Sequence, residues 1–320
     1  MHYTLRNASL LAVALLPLVA NGCRPDPSAA GTAVRTDATE TAPDRNFEER
    51  VYERSVVFMT VGLDSTIIVP WFFTARGRPA GVVREVRGWL ARSGEWEPFF
   101  QDRWEAPPTR AAFRILPRGA MRLVVGEGDA LEAILFEEGA RQLDVLIDKP
   151  VADWSGSRGE AFRVHDGSVL LGGQRVEGRL LDVNRAHRPG DLPPGDWIFL
   201  EGGPGVTIVL EAPVGIPPGA TPHTGWGHLG EREVRWPRVD VRWRETRAFE
   251  PARRDVPIAW SISSADGDLQ GVLSTVTMQL TAGGGAGPIL PVDGLFQVRG
   301  ELMIEGESVA VRGVLRHIQP

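Results

Sequence analysis

Short runs in which apolar and polar residues alternate recur along this chain, and they constrain its fold more than any other feature. The clearest runs cover residues 239–244 and 309–316, and a further run covers residues 143–148. Such alternation places apolar side chains on one face of a β-strand and polar ones on the other. Turn signals such as Asp166-Gly167 separate the runs at short intervals, which is typical of sandwiches and barrels. The pattern predicts an all-β protein, and only residues 129–139 also fit one short helix.

The chain also resembles itself. Residues 58–67 match residues 199–208 without a gap, sharing Phe, Gly, Thr and Ile at corresponding places. Later matches keep the same order along the chain, and a stretch rich in Pro and Gly separates the two halves. The repeat predicts two similar β domains, one over residues 47–188 and the other over residues 189–320.

The amino-terminal segment predicts export and lipidation. Residues 1–22 contain an apolar run that is too short to cross a bilayer core of ~30 Å and therefore fits a signal peptide. The run ends at Ala20-Asn21-Gly22-Cys23, which resembles the lipobox of bacterial lipoproteins. That resemblance implies that Cys23 is acylated and becomes the new amino terminus, and several acyl chains together anchor a protein firmly.

The residues after Cys23 predict where the anchor holds the protein. In lipoproteins of bacteria with two membranes, an aspartate at this place usually signals retention in the inner membrane. Arg24 stands there instead, so we expect an outer-membrane lipoprotein that faces the periplasm. Residues 23–46 contain no aromatic residue and almost no large aliphatic one, which predicts a disordered tether.

Composition excludes several classes of function. The chain has 35 Lys and Arg against 41 Asp and Glu, and its net charge of −6 argues against a nucleic-acid binder. Lys149 is the only lysine and no Gly-rich loop precedes it, so a P-loop or a pyridoxal phosphate site lacks its usual residues. Cys23 is the only cysteine, which excludes an intrachain disulfide. We expect no cofactor.

A metal site is not expected either. His223 and His228 lie close in sequence, but no helical pattern brings them onto one face and no third ligand is apparent. The sequence between them, rich in Gly, predicts a surface loop.

Several short motifs resemble those of the AttH-like and carotenoid 1,2-hydratase family. They are the paired segments 195–200 and 205–210, the segment 256–262, and the closing segment 311–315. The resemblance implies two lipocalin-like antiparallel barrels in tandem, following the signal peptide and tether. It also implies an apolar small-molecule ligand, such as a lipid, an isoprenoid or a pigment.

The same resemblance draws attention to Asp182 as a candidate general acid or base. Family members typically end the first barrel with Gly, an acidic residue and then a Trp-Gly pair; Gly178 and Asp182 match, whereas no Trp-Gly pair follows. A carboxyl group at a barrel mouth, among Trp residues, has a raised pKa and can move a proton. The alternative is an aspartate exposed to solvent at the end of a strand.

Tryptophan side chains are the candidate ligand contacts. A lipocalin-like barrel is wide enough to hold one small ligand, and indole rings suit an apolar one. The candidates are Trp71, Trp104, Trp197, Trp243 and Trp260. The alternative is that these residues only fill the cores, since an aromatic side chain buries ~150–250 Å².

Three functions remain open at this point. The first is a lipoprotein that binds or carries an apolar small molecule in its barrels. The second is a hydratase or hydrolase that acts on such a ligand, with Asp182 as acid or base. The third is an envelope scaffold without catalysis, which needs no cavity. The sequence leaves open whether the protein is an enzyme.

Overall fold

A computed structural model describes residues 50–60, 66–78, 81–107, 118–156, 158–191, 194–203, 205–213, 221–285 and 287–320. The predicted signal peptide, Cys23, Arg24 and the tether lie outside the described residues. Within the described part of the chain, no helix is long and apolar enough to span a membrane.

The first half of the chain forms one antiparallel sheet of nine strands. In spatial order the strands run β4-β3-β2-β1-β9-β8-β7-β6-β5, so that the first strand pairs with the last. Their bounds are β1 Val51–Thr60, β2 Ile67–Arg78, β3 Gly81–Arg92, β4 Glu95–Ala106, β5 Met121–Val125, β6 Leu131–Glu138, β7 Arg141–Ser155, β8 Ala161–Leu171 and β9 Gln174–His187. Residues 129–139, for which the sequence also allowed a short helix, contain strand β6 instead. A 3₁₀ turn at Glu127–Asp129 precedes that strand.

The second half closes into an eight-stranded antiparallel barrel, in which each strand pairs with the next and the last with the first. The strands are β10 Pro194–Gly202, β11 Val206–Pro213, β12 Thr221–Leu229, β13 Arg232–Phe249, β14 Arg254–Ser264, β15 Leu269–Ala282, β16 Val292–Ile304 and β17 Glu307–Gln319. A 3₁₀ turn at Glu250–Ala252 joins β13 to β14. The predicted all-β fold of two antiparallel domains is confirmed.

The nine-stranded sheet curls, so that side chains of edge strand β4 contact residues of β6 and β7 near the opposite edge. Phe99 of edge strand β4 packs edge-to-face on Phe136 of β6, with ring centroids 4.6 Å apart. Arg141 of β7 donates a hydrogen bond to the carbonyl oxygen of Phe99, at 2.8 Å. These contacts enclose an apolar interior in which Phe58, Trp71 and Phe136 are almost completely buried.

A separate apolar cluster fills the space between the two domains. It takes Val57 and Met59 from β1, Phe162 from β8, and Trp197 and Phe199 from β10. Because β1 and β10 are covered on both faces, residues 56–59 of β1 and 197–200 of β10 form continuous apolar runs rather than alternating ones. The outward faces of the two domains are therefore packed against each other.

Candidate functional site

A buried ion pair lies inside the first domain. Arg54 of β1 and Asp182 of β9 lie on neighbouring strands, and both side chains are completely buried. The guanidinium donates to both carboxylate oxygens, from Nε to Oδ1 at 2.8 Å and from Nη2 to Oδ2 at 2.6 Å. It also donates to the carbonyl oxygen of Asp129, at 3.0 Å, which ties down the 3₁₀ turn before β6. Asp182 is thus placed within the sheet, not at a solvent-exposed strand end.

The strand register places further polar groups beside this pair. Asp182 is the direct cross-strand partner of Arg163 on β8, and Arg163 is the partner of Asp153 on β7. Arg163 Nε lies 3.5 Å from Asp153 Oδ2, and the Asp153 side chain is largely exposed. Because cross-strand partners share a face of the sheet, these side chains form a row that runs from the interior to solvent.

His165 lies one inward-facing position further along β8. Burial lowers its pKa, although the negative charges of Asp182 and Asp153 act in the opposite direction; Arg163 and Arg54 lower it further. The imidazole is therefore neutral at neutral pH, with one nitrogen free to accept a proton.

Several polar atoms of this cluster lack a hydrogen-bond partner among the described residues. They are Arg54 Nη1, Arg163 Nη1 and both ring nitrogens of His165, all of them buried. Trp71 Nε1 is buried and unpartnered as well; Trp71 lies in the same cross-strand row, separated from Asp182 only by Val56. An unpartnered buried polar group costs ~1–3 kcal/mol, so four residues with such atoms in one place indicate an absent ligand or ordered water.

The structure does not bring the five candidate tryptophans together. Trp71 lies in the first interior, with Trp104 packed at its margin, where Arg118 stacks 5.1 Å from the indole centroid. Trp197 lies between the domains. Trp243 and Trp260 are cross-strand partners in the second barrel, and Trp260 packs on Phe296 at 5.3 Å. Of the five, only Trp71 shares a row with Asp182.

The two histidines of the predicted loop lie in strand β12 instead. His223 is buried and His228 is half-buried. The loop prediction was wrong because Gly225 and Gly227 do not interrupt the strand: each gives space to the indole of Trp236 and to neighbouring side chains. Among the described residues, no group of three or more His, Cys, Asp and Glu side chains could hold a metal ion.

Sequence reasoning found Asp182 but missed Arg54, Arg163 and His165. Charged or polar residues at inward-facing positions of otherwise apolar strands were the available signal. Arg54 lies two residues before the apolar run of β1 that begins at Val56, and His165 follows two core residues of β8. Their proximity to Asp182 depends on long-range pairing: Arg54 and Asp182 are 128 residues apart in sequence.

Comparison with solved structures places this fold among known ones. A putative AttH from Nitrosomonas europaea is similar at a TM-score of 0.55 and 12% identity, over 92% of this chain and 98% of that one. Kievitone hydratase from Nectria haematococca is similar at a TM-score of 0.54 and 13% identity, over 84% of this chain and 88% of that one. No protein-family model and no curated protein matches the sequence. At these identities the likeness shows the fold, and the fold is the one that the sequence resemblance implied.

Proposed function

We propose that this chain is a lipid-anchored protein of the bacterial outer membrane, facing the periplasm, that binds a mainly apolar small molecule inside its first β domain. The candidate ligands are a lipid, an isoprenoid or a pigment that carries at least one oxygen. One observation carries the proposal: an apolar interior contains buried donors, on Arg54, Arg163 and His165, that have no acceptor among the described residues.

The chemistry of the cluster defines the polar end of the ligand. Arg54 Nη1 and Arg163 Nη1 are donors only, so the group that they contact must accept hydrogen bonds. Asp182 already neutralises Arg54, and Asp153 lies beside Arg163. A neutral oxygen, as in a hydroxyl, carbonyl or ester group, therefore completes the cluster without adding an unbalanced charge. The apolar remainder of the ligand lies against aromatic side chains such as Trp71.

Native mass spectrometry, followed by organic extraction, tests this proposal. The protein is purified from a bacterial periplasm as a full-length Cys23→Ser variant, and we expect an apolar molecule at a fixed stoichiometry. Replacing Arg163 with Met removes one unpartnered donor and is expected to reduce retention of the molecule. Arg175→Met is the matched control, because Arg175 is exposed and pairs only with Glu177 and Asp148. A chain that emerges empty and fails to bind an apolar fluorescent dye contradicts the proposal and favours an envelope scaffold.

A hydratase or hydrolase is the second candidate, favoured by the neutral His165 beside Asp182. Arg54 occupies both oxygens of Asp182, so His165 is the group free to accept a proton from water. The charge of Asp182 then stabilises the imidazolium that forms. In a hydration, the hydroxide adds to one carbon of an electron-poor alkene in the ligand, and the imidazolium returns its proton to the other carbon. The fold likeness to kievitone hydratase agrees with this candidate but does not establish it.

Isotope labelling separates binding from catalysis. If the protein hydrates its ligand, incubation of the extracted molecule with protein in ¹⁸O-labelled water yields a product heavier by one labelled water. His165→Phe is expected to abolish that product while part of the binding remains, since Arg54, Arg163 and the apolar walls are unchanged. Retention without any product supports a carrier.

A further inference from the structure

A cavity of about 960 Å³ lies in a groove between the two domains, apart from the Asp182 cluster. One side is formed by Thr66 and Arg179 of the first domain. The other is the outer face of the second barrel, from strands β10, β15, β16 and β17. Gly203 contributes backbone without a side chain, and a Cβ at this position would meet open space. The volume matches that of typical small-molecule sites.

The carboxyl group of Glu201 lies in this groove and is buried, with 6% of the residue exposed. The hydroxyl of Thr207 on β11 donates to Oε1 at 2.8 Å. Burial raises the pKa of Glu201 to about 7, although Arg179, the Thr207 hydrogen bond and Arg312 lower it, and Asp166 adds to the rise. Near neutral pH the group is thus divided between its acid and its carboxylate form.

Two guanidinium groups flank Glu201. Arg179 Nε lies 3.8 Å from Glu201 Oε1 and 3.4 Å from Asp166 Oδ1, but makes no hydrogen bond to a described residue. Arg312 Nη2 donates to the carbonyl oxygen of Thr60, whereas its buried Nη1 has no partner among the described residues. The two guanidinium groups therefore keep donors that no described residue satisfies.

The remaining charged groups of the groove lie on β16. They are Arg299 and Glu301, and Glu301 accepts a hydrogen bond from Ser308 of β17. When Glu201 is protonated, the described acidic groups beside Arg179, Arg312 and Arg299 are Asp166 and Glu301, so the described part of the groove carries a net positive charge. Val276 also lines the groove and is 44% exposed, so an apolar surface lies next to the cations.

We propose that this groove is a binding site for an amphiphilic carboxylate, held by Arg179 and Arg312, with protonated Glu201 donating a hydrogen bond to the bound carboxylate. An anion supplies acceptors to the unpartnered guanidinium nitrogens, and charge-assisted bonds of this kind are the stronger ones. Two carboxylates in contact cannot both stay ionised in a buried site, so ligand binding takes up a proton at Glu201. The apolar tail then lies along Val276.

This site is independent of the Asp182 cluster, so the two proposals can fail separately. They also differ in their ligands: the Asp182 cluster takes a neutral oxygen, whereas the groove takes an anion.

Titration calorimetry with decanoate, and with decanol as the uncharged control, tests the proposal. For the full-length Cys23→Ser protein we expect decanoate to bind about tenfold more weakly at about pH 8 than at about pH 6, because the competent, protonated fraction of Glu201 falls by that factor. Glu201→Gln keeps a neutral donor and is expected to bind decanoate with little dependence on pH. Decanol is expected to bind more weakly than decanoate at the lower pH.

A variant that fills the groove distinguishes loss of the binding site from misfolding as the cause of lost decanoate binding. A side chain at Gly203 would start in open space, with no atom within 4 Å of its Cβ. Gly203→Trp is therefore expected to fold and to lose decanoate binding, as is Arg312→Met. Binding that survives Gly203→Trp, a pH dependence that persists in Glu201→Gln, or equal binding of decanol and decanoate overturns the proposal.

Discussion

Replacing Arg54 with methionine tests whether the buried ion pair is as tightly coupled as its geometry indicates. The substitution removes two hydrogen bonds to Asp182 and one to the carbonyl oxygen of Asp129. It leaves an uncompensated carboxylate in an interior where both side chains are completely buried. Breaking a buried pair in this way costs ~3–5 kcal/mol of unfolding free energy. Urea denaturation followed by circular dichroism measures the loss.

The double variant Arg54→Met with Asp182→Leu provides the decisive comparison. It removes both charges and fills the space with apolar atoms, so we expect it to be more stable than Arg54→Met alone, by at least ~2 kcal/mol. The coupling energy from this cycle isolates the pair from general effects of core substitution. A loss below ~1 kcal/mol for Arg54→Met, or additive single losses, would refute the reasoning, because either means that water reaches Asp182.

Three further predictions concern the anchor, pH and the domain interface. Cys23→Ser is expected to move the protein from the membrane fraction to the soluble periplasmic fraction, which cell fractionation and immunoblotting would show. Burial raises the pKa of Glu211 from 4.5 to about 7 despite the opposing effect of Arg185. The folded state therefore binds the proton of Glu211 more tightly than the unfolded state does. The unfolding free energy therefore falls by up to ~3 kcal/mol as pH rises through that window, and urea titrations of Glu211→Gln should lack this part of the fall. Trp226 packs on Phe162 across the interface, with ring centroids 5.1 Å apart. Replacing Trp226 with Ala is therefore expected to lower the unfolding free energy by ~3–5 kcal/mol. Met303→Ala, at an exposed site, should stay within ~0.5 kcal/mol in the same assay.

The strands could be predicted from the sequence more readily than the directions in which their side chains point. Alternation identified β13, which has one face against the core and one against solvent, and β17, in which polar residues such as Arg312 and Arg316 alternate with core residues. It is absent from β1 and β10, whose two faces are both covered. The gapless match of Phe58 with Phe199 illustrates the consequence. Phe58 points into its own domain, whereas Phe199 points into the interface, because a shift of one residue turns a strand over.

The candidate site could be predicted only in part, for a related reason. Asp182 was identifiable because it lies near Gly178 in a short motif that resembles a known family. Its partner Arg54 was not, since nothing within either strand's own sequence indicates that β1 pairs with β9. Glu201 lies within a repeated segment that the sequence did identify. Its raised pKa, however, arises from burial between two domains, which no local pattern encodes.

The second barrel joins its first and last strands through an apolar inward-facing pair. Strands β10 and β17 pair in the second barrel as β1 and β9 pair in the first, since each pair joins the first strand of its domain to the last. In the second barrel the inward-facing pair Ile198 and Leu315 is apolar and completely enclosed by the core.

In the first domain the inward-facing pair Val56 and Asp182 joins an apolar residue to a charged one. In the second barrel a polar contact, between His317 and Asp196, lies near the end of β17. An apolar interior stabilises a curled sheet of this kind. A buried ion pair whose polar neighbours lack hydrogen-bond partners lowers its stability. Arg54, Asp182 and His165 in one interior therefore carry a cost in stability that the ligand proposed for the first domain would offset.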